Sequence, residues 1–214
     1  MFCGYKLNSS DPENIAELRR KSDKRVLTYC ITNLTPKMTE ESINQQIDLA
    51  FKVWKKHSAL KFKKNKPDED SDIRISFCSK EHGDGFPFDG AGGTLAHGFY
   101  PGSGIGGDLH FDAEESWTDK ETPPNHNLFV VAVHEIGHCL GLTHSSDSNS
   151  IMYPTYNHMF SKETHKILSN EDIERIQNAY GKPKKKVKLC EINGITVKVK
   201  SVDNDKIKLI IEKS

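Results

Sequence analysis

His134-Glu135-Ile136-Gly137-His138-Cys139-Leu140-Gly141-Leu142-Thr143-His144, followed by Ser145, is the stretch that decides how this chain folds. Two histidines four residues apart lie on one face of a helix, about one turn from each other, so both imidazoles can bind one metal ion. Glu135 follows the first of them, and its carboxylate can reach a water on that metal without binding the metal itself. Gly141 can adopt the left-handed conformation that ends a helix, after which the chain turns back and presents His144 as a third ligand. Three neutral nitrogens leave the fourth tetrahedral position of Zn²⁺ open for water, as in a catalytic zinc site.

A methionine beyond the third histidine supports this interpretation. The segment Ser150-Ile151-Met152-Tyr153-Pro154 places Met152 eight residues after His144, next to a proline. A single methionine is more often an ordinary core residue, and a buried helix can carry histidines without binding metal. Because the histidines, the glutamate and the glycine occur at a fixed spacing, we favour a metal site with Met152 as a platform beneath it.

The composition suits one compact domain with some residues left over. The chain has 214 residues and a formal net charge of zero, so no bulk attraction to nucleic acid or another polyanion is implied. No apolar run approaches the length of a membrane span. The opening residues, Met1 to Lys6, lack the basic start and apolar core of a secretory signal. We therefore expect the chain to begin after a removed signal or at an incomplete start.

Helical periodicity predicts three helices between residues 26 and 181. The first begins with Thr39 as its cap and has an apolar stripe spaced three or four residues apart. That stripe consists of Ile43, Ile47, Ala50, Phe51 and Trp54. The metal-binding helix is expected at about 127–142, and a last helix begins after Ser169 and stops at Gly181.

Strand periodicity predicts a sheet beside these helices. The strands are expected at 26–32, 60–62, 73–77, 94–99 and 108–111. Together these elements predict an α+β domain with a mixed, twisted sheet over residues 26–181. Residues 182–214 are predicted to form a basic linker and a short tail with strands at 194–200 and 206–211, too small for a core of its own.

A second group of metal-binding side chains lies in the glycine-rich segment 81–115. Its four nitrogen and oxygen donors are His82, Asp84, His97 and His110. A flexible, solvated turn is the alternative explanation of such a segment. Four protein ligands would complete a tetrahedron around zinc and leave no place for water, so we predict a structural site here.

Oxygen donors in the same region fit calcium, which takes six to eight oxygen ligands. One predicted cage consists of Asp89, Asp112, Glu115 and the backbone carbonyls of Gly90, Gly92 and Thr94. A second consists of Asp72, Asp108 and the carbonyls of Gly104 and Gly106. Ions in these cages would hold a loop whose own sequence cannot fold it.

These motifs resemble the matrix metalloproteinases, the matrixin branch of the metzincins, over about residues 26 to 181. Besides the stretch ending in Ser145, the matching segments are Leu27-Thr28-Tyr29, His82-Gly83-Asp84, Phe88-Asp89-Gly90, Gly92-Gly93-Thr94-Leu95-Ala96-His97, His110-Phe111-Asp112 and Ile151-Met152-Tyr153-Pro154. The resemblance implies a metzincin-like catalytic domain, one catalytic zinc, one structural zinc and calcium in both cages. It also implies that Leu95 and Ala96 are edge-strand residues that pair with the substrate backbone.

The resemblance implies a zinc-dependent endopeptidase that cleaves extended segments of extracellular-matrix or other secreted proteins. Glu135 would take a proton from the attacking water and pass it to the leaving nitrogen. Val130 lies four residues before His134, and its small side chain would leave open a pocket for a large apolar residue. A secreted monomer with a protein inhibitor as a further partner is expected.

Two other functions remain alternatives. One is a zinc and calcium binding module without turnover, against which the presence of Glu135 argues. The other is a metal-dependent hydrolase of a different substrate, against which the strand at 94–99 argues, because an edge strand suits a peptide backbone.

Residues 1–25 are expected to be the remnant of a propeptide or an N-terminal extension. In the family, a propeptide thiolate within Arg-Cys-Gly-x-Pro-Asp occupies the fourth zinc position, and here Phe2-Cys3-Gly4-Tyr5 keeps only the Cys-Gly pair. Cys3 lies 24 residues before Leu27, close to the family's spacing. Cys3 is therefore a candidate latency switch, and an unstructured terminal cysteine is the alternative.

Overall fold

The structure, a computed structural model, describes residues 2–3, 25–120, 124–156, 167–184, 187–192, 195–202 and 206–211. The chain divides into two units, Met1–Lys182 and Pro183–Ser214. All the predicted metal-binding side chains belong to the first unit, which is described first.

A six-stranded sheet forms one layer of the first unit. In spatial order its strands are β1 (Phe2–Cys3), β5 (Thr94–Gly98), β6 (Leu109–Asp112), β4 (Ile73–Cys78), β2 (Val26–Ile31) and β3 (Lys61–Lys64). β5 runs antiparallel to β6 and the other neighbours are parallel, so the sheet is mixed as predicted. β3 begins one residue later and ends two residues later than expected, because its lysines make the alternation weak. β1 was not predicted.

The first helix, α1 (Glu40–His57), begins at Thr39, whose hydroxyl accepts a hydrogen bond from the Ser42 N–H. The whole predicted apolar stripe is buried, and Gln46 is buried with it. Trp54 ends the stripe, and its Nε1 donates to the carbonyl of Val133 at 3.0 Å. This hydrogen bond fixes α1 against the metal-binding helix, because it joins a side chain of one helix to the backbone of the other.

The metal-binding helix, α2 (Leu128–Cys139), is buried along its full length and packs against α1 and β5. Asn127 caps it by accepting from the N–H groups of the next turn. The helix ends at Cys139, three residues before the predicted boundary. Gly141, which follows shortly after, has a positive φ of 92°. There the N–H groups of Gly141 and Leu142 donate back to His138 and Gly137, the usual pattern of a glycine-terminated helix.

The last helix of this unit, α3 (Asn170–Tyr180), has the predicted ends. Ser169 and Asp172 form a reciprocal capping box at its start, and Gly181 terminates it with a φ of 85°. The hydroxyl of Tyr180 donates to the Leu140 carbonyl at 2.8 Å, so α3 is tied to the end of α2. Within the described ranges, no helix is long and apolar enough to cross a membrane.

Two short strands that the sequence analysis missed connect the sheet to α2. β7 (Trp117–Thr118) pairs in parallel with β8 (His126–Asn127), and β8 leads directly into α2. Strands of two residues are too short to show an alternation, which is why periodicity did not predict them.

The second unit contains an antiparallel sheet. Its strands are β9 (Val187–Ile192), β10 (Ile195–Val202) and β11 (Lys206–Ile211), with β10 in the centre. The sequence analysis predicted the last two and missed β9, since β9 follows directly on the run of lysines that was interpreted as a linker. Residue 194, the predicted start of the strand that corresponds to β10, lies outside the described residues.

Candidate active site

Three histidines meet at the end of α2. His134 and His138 lie one turn apart with 3.1 Å between their Nε2 atoms, and the loop after Gly141 brings Nε2 of His144 to 3.2 Å from that of His138. Two nitrogens about 2.0 Å from one ion, at a tetrahedral angle, are about 3.3 Å apart. This three-histidine cluster therefore has the spacing that a single zinc ion requires.

Two backbone carbonyls orient the rings. Nδ1 of His134 lies 2.6 Å from the carbonyl oxygen of Ile151, and Nδ1 of His138 lies 2.7 Å from that of Leu142. Because a carbonyl only accepts hydrogen bonds, each Nδ1 carries the proton. Each Nε2 then keeps its lone pair free to bind a metal.

Burial keeps these imidazoles neutral. It lowers the pKa of His134 to about 4 and that of His138 well below its usual value. The pKa of His144 is also lowered, first by burial and then by the charge of Arg175. Neutral imidazole is the form that binds zinc, so at neutral pH the cluster binds without first losing protons.

Met152 lies directly beneath α2. It is fully buried, and a Cβ atom at Gly137 would collide with its sulfur and would crowd the ring of Trp54. The N–H of Ser145 donates to the Met152 carbonyl at 2.9 Å. The methionine turn therefore supports the helix at the level of the histidines, with no space left for a side chain between them.

A buried aspartate of α3 holds this turn, and the sequence analysis did not anticipate it. Asp172 accepts from the hydroxyl of Ser150 and, at 3.0 Å, from the N–H of Ile151. Ile151 is the residue whose carbonyl orients His134. The available signal was the Ser169-x-x-Asp172 capping pattern, which places an acid at the third helical position but does not reveal a partner 20 or more residues away.

Two further residues of α3 fix the loop that carries His144. Arg175 donates to the carbonyl and hydroxyl oxygens of Thr143 at 2.7 and 2.8 Å. Glu171 accepts from the hydroxyl of Ser145. The third ligand thus lies between two residues that are both bonded to α3.

Glu135 and Val130 lie on α2 where the sequence analysis placed them, and both are buried. A Cβ atom at Gly98 would come within 2.6 Å of the Glu135 carbonyl oxygen, so β5 and α2 approach each other as closely as their backbones allow. Val130 precedes His134 by one helical turn. The strand that contains Leu95 and Ala96 therefore runs beside the helix that carries Glu135.

The outer edge of β5 is paired with β1, whereas the sequence analysis expected this edge to be free for substrate. Phe2 lies opposite Thr94 and Cys3 opposite Ala96, in parallel register. A strand edge presents unpaired N–H and C=O groups that any extended segment can pair with. The chain's own N-terminal residues take that place in this structure.

The second predicted set of ligands also converges. Oδ2 of Asp84 lies 2.8 Å from Nε2 of His82, 2.8 Å from Nε2 of His97 and 2.7 Å from Nδ1 of His110. His97 on β5 is directly opposite His110 on β6, so the sheet register supplies two donors and the glycine-rich loop supplies the others. Four donors around one point suit a closed zinc site, and this set is called the four-ligand cluster below.

The charge state of the four-ligand cluster also suits a cation. Burial raises the pKa of Asp84, but hydrogen bonds from the Phe86 N–H, His97 and His110 outweigh it, and the net result is a lowered pKa. Burial lowers the pKa of His97 to about 4 and lowers that of His110 as well. A carboxylate beside the neutral imidazoles of His97 and His110 is the state in which these groups bind zinc.

Aromatic rings enclose the four-ligand cluster, which the sequence analysis missed. Phe88 stacks on His82 and His97 with centroid distances of 4.9 and 4.7 Å. Phe86 and Phe99 lie against His97 at 6.2 and 5.3 Å. The Phe86-Pro87-Phe88 run between the ligands was the signal, since two aromatic residues in an otherwise polar loop need a packing partner.

The acidic residues of the first predicted oxygen cage accept hydrogen bonds from the N–H groups of the glycine loop between Asp89 and β5, whereas the prediction named the carbonyls of that loop as ligands. The Gly90 N–H donates to Asp112, the Gly92 N–H to Glu115 and the Thr94 N–H to Asp89, at 3.2, 2.7 and 3.1 Å. Gly90 and Gly92 have φ values of 88° and 82°, which glycine adopts without strain.

Like charges meet in this cage. Burial raises the pKa of Asp112, and the charges of Glu114 and Asp89 raise it further. Burial likewise raises the pKa of Glu115, with Asp112 and Asp89 adding to the effect. Carboxylates that are buried together and repel one another are stabilised by a divalent cation, so the residues present fit calcium.

The second predicted cage lies at one end of the sheet. Asp72 precedes β4 and Asp108 precedes β6, and these two strands are parallel neighbours. Burial raises the pKa of Asp108. Oδ2 of Asp72, however, accepts from the N–H and hydroxyl of Thr28 at 2.7 and 2.8 Å. The bonds to Thr28 therefore engage one of the expected ligand atoms.

Comparison with known proteins agrees with this geometry. The family model described as Matrixin matches residues 20–181. Neutrophil collagenase of Homo sapiens is 48% identical over 161 residues, which are 75% of this chain and 33% of that protein. Matrix metalloproteinase-18 of Xenopus laevis is 49% identical over 159 residues, 74% of this chain and 33% of that protein. Macrophage metalloelastase of Rattus norvegicus is 49% identical over 162 residues, 76% of this chain and 34% of that protein.

The chain spans about a third of the length of these relatives. The matching region contains α1, α2, α3, the six-stranded sheet from β2 onward and both histidine clusters. By sequence, the chain belongs to the matrixin family of zinc metalloendopeptidases.

Proposed function

We propose that this chain cleaves peptide bonds in extended segments of extracellular-matrix or other secreted proteins, with zinc bound by His134, His138 and His144. The observation that carries the proposal is the three-histidine cluster itself: its Nε2 atoms have the separation of zinc ligands, and its rings are neutral and fixed by carbonyls. The names of two relatives, a collagenase and a metalloelastase, support a matrix protein as the substrate class.

Glu135 is the proposed general base. A zinc ion held by these three histidines would supply Lewis acidity toward the scissile carbonyl and would make the attacking water more acidic. Glu135 accepts the proton of the attacking water and delivers it to the leaving nitrogen. Its position next to His134, on a helix that is buried throughout, supports this role.

The substrate is proposed to bind as a strand beside Leu95 and Ala96. Backbone hydrogen bonds then align it whatever its sequence. The pairing of β1 with β5 supports this, because it places an extended segment on that edge. Val130, one turn before His134, is proposed to border a pocket for the apolar side chain that follows the cleaved bond.

The other ions are proposed to maintain the loop that precedes β5 and β6. A structural zinc is assigned to the four-ligand cluster, whose donors lie 2.7 to 2.8 Å around Asp84. Calcium is assigned to the cage of Asp89, Asp112 and Glu115 with the carbonyls of Gly90, Gly92 and Thr94. A second calcium is assigned to Asp72 and Asp108 with the carbonyls of Gly104 and Gly106. These ions would stabilise two segments that contain little regular structure, one between Cys78 and Thr94 and one between Gly98 and Leu109.

Cys3 is proposed to make the enzyme partly latent. The register of β1 places Cys3 opposite Ala96, on the edge where the substrate is proposed to bind. A strand in this position competes with the substrate for the same hydrogen-bonding groups. A thiolate is also a strong ligand for zinc.

The protein is proposed to be secreted, to act as a monomer and to have a protein inhibitor as a further partner. The relatives of matrix-metalloproteinase type support an extracellular location. Neither nucleic acid nor a membrane span is part of this proposal.

Incubation with a library of quenched peptides tests the activity. We expect cleavage before large apolar residues and its loss with a zinc chelator. An alternative is a metal-binding module without turnover, which would leave every peptide intact while still containing zinc. A hydrolase of another substrate would also leave the peptides intact, but zinc-dependent hydrolysis of simple esters would reveal it.

A further inference from the structure

His126 lies at the junction between the cage of acidic residues and the helix of the active site. It belongs to β8, which pairs with β7, and β7 begins two residues after Glu115. The backbone N–H of His126 donates to the Ser116 carbonyl at 2.9 Å. The next residue, Asn127, is the cap of α2. Only 2% of His126 is exposed, so its polar ring is enclosed by protein.

The ring of His126 faces a buried carboxylate. Its Nε2 lies 3.3 Å from Oε2 of Glu115, and both side chains are 3% exposed. The other oxygen of Glu115 accepts from the Gly92 N–H at 2.7 Å. Glu115 is therefore held from two sides, by the glycine loop through one oxygen and by the imidazole through the other.

Two aromatic residues connect the same ring to both neighbouring sites. Trp117 meets His126 edge-on at 6.2 Å, and its indole N–H donates to the Asp112 carbonyl at 2.7 Å. Tyr156 meets His126 edge-on at 5.5 Å, and its hydroxyl accepts from the Asn127 N–H at 3.1 Å. One side of the ring thus contacts a residue bonded to the cage, and the other contacts a residue bonded to the start of α2.

We propose that His126 is a positioning residue that orients Glu115 for a divalent cation and couples the presence of that cation to the N-terminus of α2. The inference rests on the calcium assignment made above. Groups that hydrogen-bond to a ligating carboxylate fix its direction, and their loss commonly weakens metal binding by about 10–100-fold. A cation that binds Glu115 would also hold His126, and through it Asn127 and Tyr156.

The test compares His126→Phe with His126→Gln in the full-length, zinc-loaded chain. Phenylalanine keeps the contacts with Trp117 and Tyr156 but removes the polar nitrogen, whereas glutamine places an N–H at a similar reach. His57→Phe, at the end of α1, is the matched control, because it makes the same change in a helix that contributes no residue to the cage. Terbium, whose luminescence a nearby tryptophan excites, serves as the probe of the cage.

We expect His126→Phe to bind terbium and calcium about 10–100-fold more weakly. His126→Gln and His57→Phe should remain close to the unmodified chain. The N–H groups of Phe129 and Val130 donate to the side chain of the cap residue, Asn127. Calcium should slow hydrogen exchange at these two N–H groups, and it should do so much less in His126→Phe. The phenylalanine variant should therefore lose melting temperature mainly when calcium is present.

A merely structural role for His126 would give a different result. His126→Phe would then lower the melting temperature equally with and without calcium and would bind terbium as tightly as the unmodified chain, and this would overturn the inference. Failure of the unmodified chain to bind either ion would instead refute the calcium assignment, and the inference with it.

Discussion

The two histidine clusters differ in their donors and in their supports. The three-histidine cluster offers only nitrogens, from a buried helix and the loop after it, with two rings fixed by backbone carbonyls. The four-ligand cluster centres on the carboxylate of Asp84 and draws its other donors from a glycine-rich loop and two paired strands. Three donors leave a coordination position for water and substrate, and four donors close it.

The two clusters depend on the fold in opposite ways. The three-histidine cluster lies on a helix that Trp54 and Met152 contact directly, and α3 is bonded to the end of this helix through Tyr180. His82 and Asp84 of the four-ligand cluster lie on a loop in which ligands and a few aromatic rings replace a core. Removal of zinc from the three-histidine cluster should therefore abolish activity. Removal of zinc from the four-ligand cluster should instead disrupt the local structure.

The largest expected effect is on turnover at the three-histidine cluster. Glu135→Ala should reduce peptidase activity by about 10²–10⁴-fold, because a general base is lost. Zinc content and melting temperature should change little, since Glu135 is not a ligand in this account. Glu174→Ala, on the exposed side of α3, is the control. Retention of most turnover by Glu135→Ala would refute the assigned role.

Calcium removal at constant zinc should act on the other region. A ligand present at 100 times its dissociation constant stabilises the folded state by about 2.7 kcal/mol, which corresponds to roughly 5–10 °C in a domain of this size. Proteolytic nicking should increase between residues 81 and 115. Differential scanning calorimetry with a calcium-selective chelator measures the shift, and an unchanged melting curve would show that the cages do not bind calcium.

The packing of Met152 beneath the three-histidine cluster can be tested by adding one methyl group at Gly137. Gly137→Ala should destabilise the protein by about 1–3 kcal/mol, because the new Cβ collides with Met152. Gly102→Ala should cost less than about 0.5 kcal/mol, since the nearest atom would lie 3.9 Å away. Chemical denaturation measures both. Equal effects would mean that Met152 does not pack against the helix as described.

The smallest expected effect concerns access to the open position. Cys3→Ser should raise the initial activity of the intact chain by roughly two- to tenfold, which corresponds to about half to nine tenths of the molecules being blocked. Deletion of residues 1–25 should raise it at least as much, because β1 is then absent from the edge of β5. Identical initial rates for the three forms would mean that neither Cys3 nor β1 hinders the substrate.

Sequence reasoning predicted the features that depend on local spacing. The pairing of His134 with His138 follows from the helical repeat alone, and the end of α2 follows from Gly141. The donors of the four-ligand cluster were found by residue type, whereas the register that places His97 opposite His110 became visible only in the sheet.

The features that sequence reasoning missed depend on contacts between distant parts of the chain. Asp172 reaches the methionine turn across 20 residues or more, and nothing in its capping pattern names that partner. β1 pairs with β5 across about 90 residues, through backbone groups that every residue has. A contact that does not depend on side-chain type leaves no sequence pattern to detect.

Zinc content measured together with turnover in two ligand variants tests the division between the clusters most directly. The account predicts two zinc ions per unmodified chain. His138→Ala should keep one zinc and remain folded but lose turnover. His97→Ala should keep one zinc and melt at a lower temperature, yet retain turnover per folded molecule below that temperature. If His138→Ala remains active, or if His97→Ala loses turnover while it is still folded, the assignment of the open and closed sites is wrong.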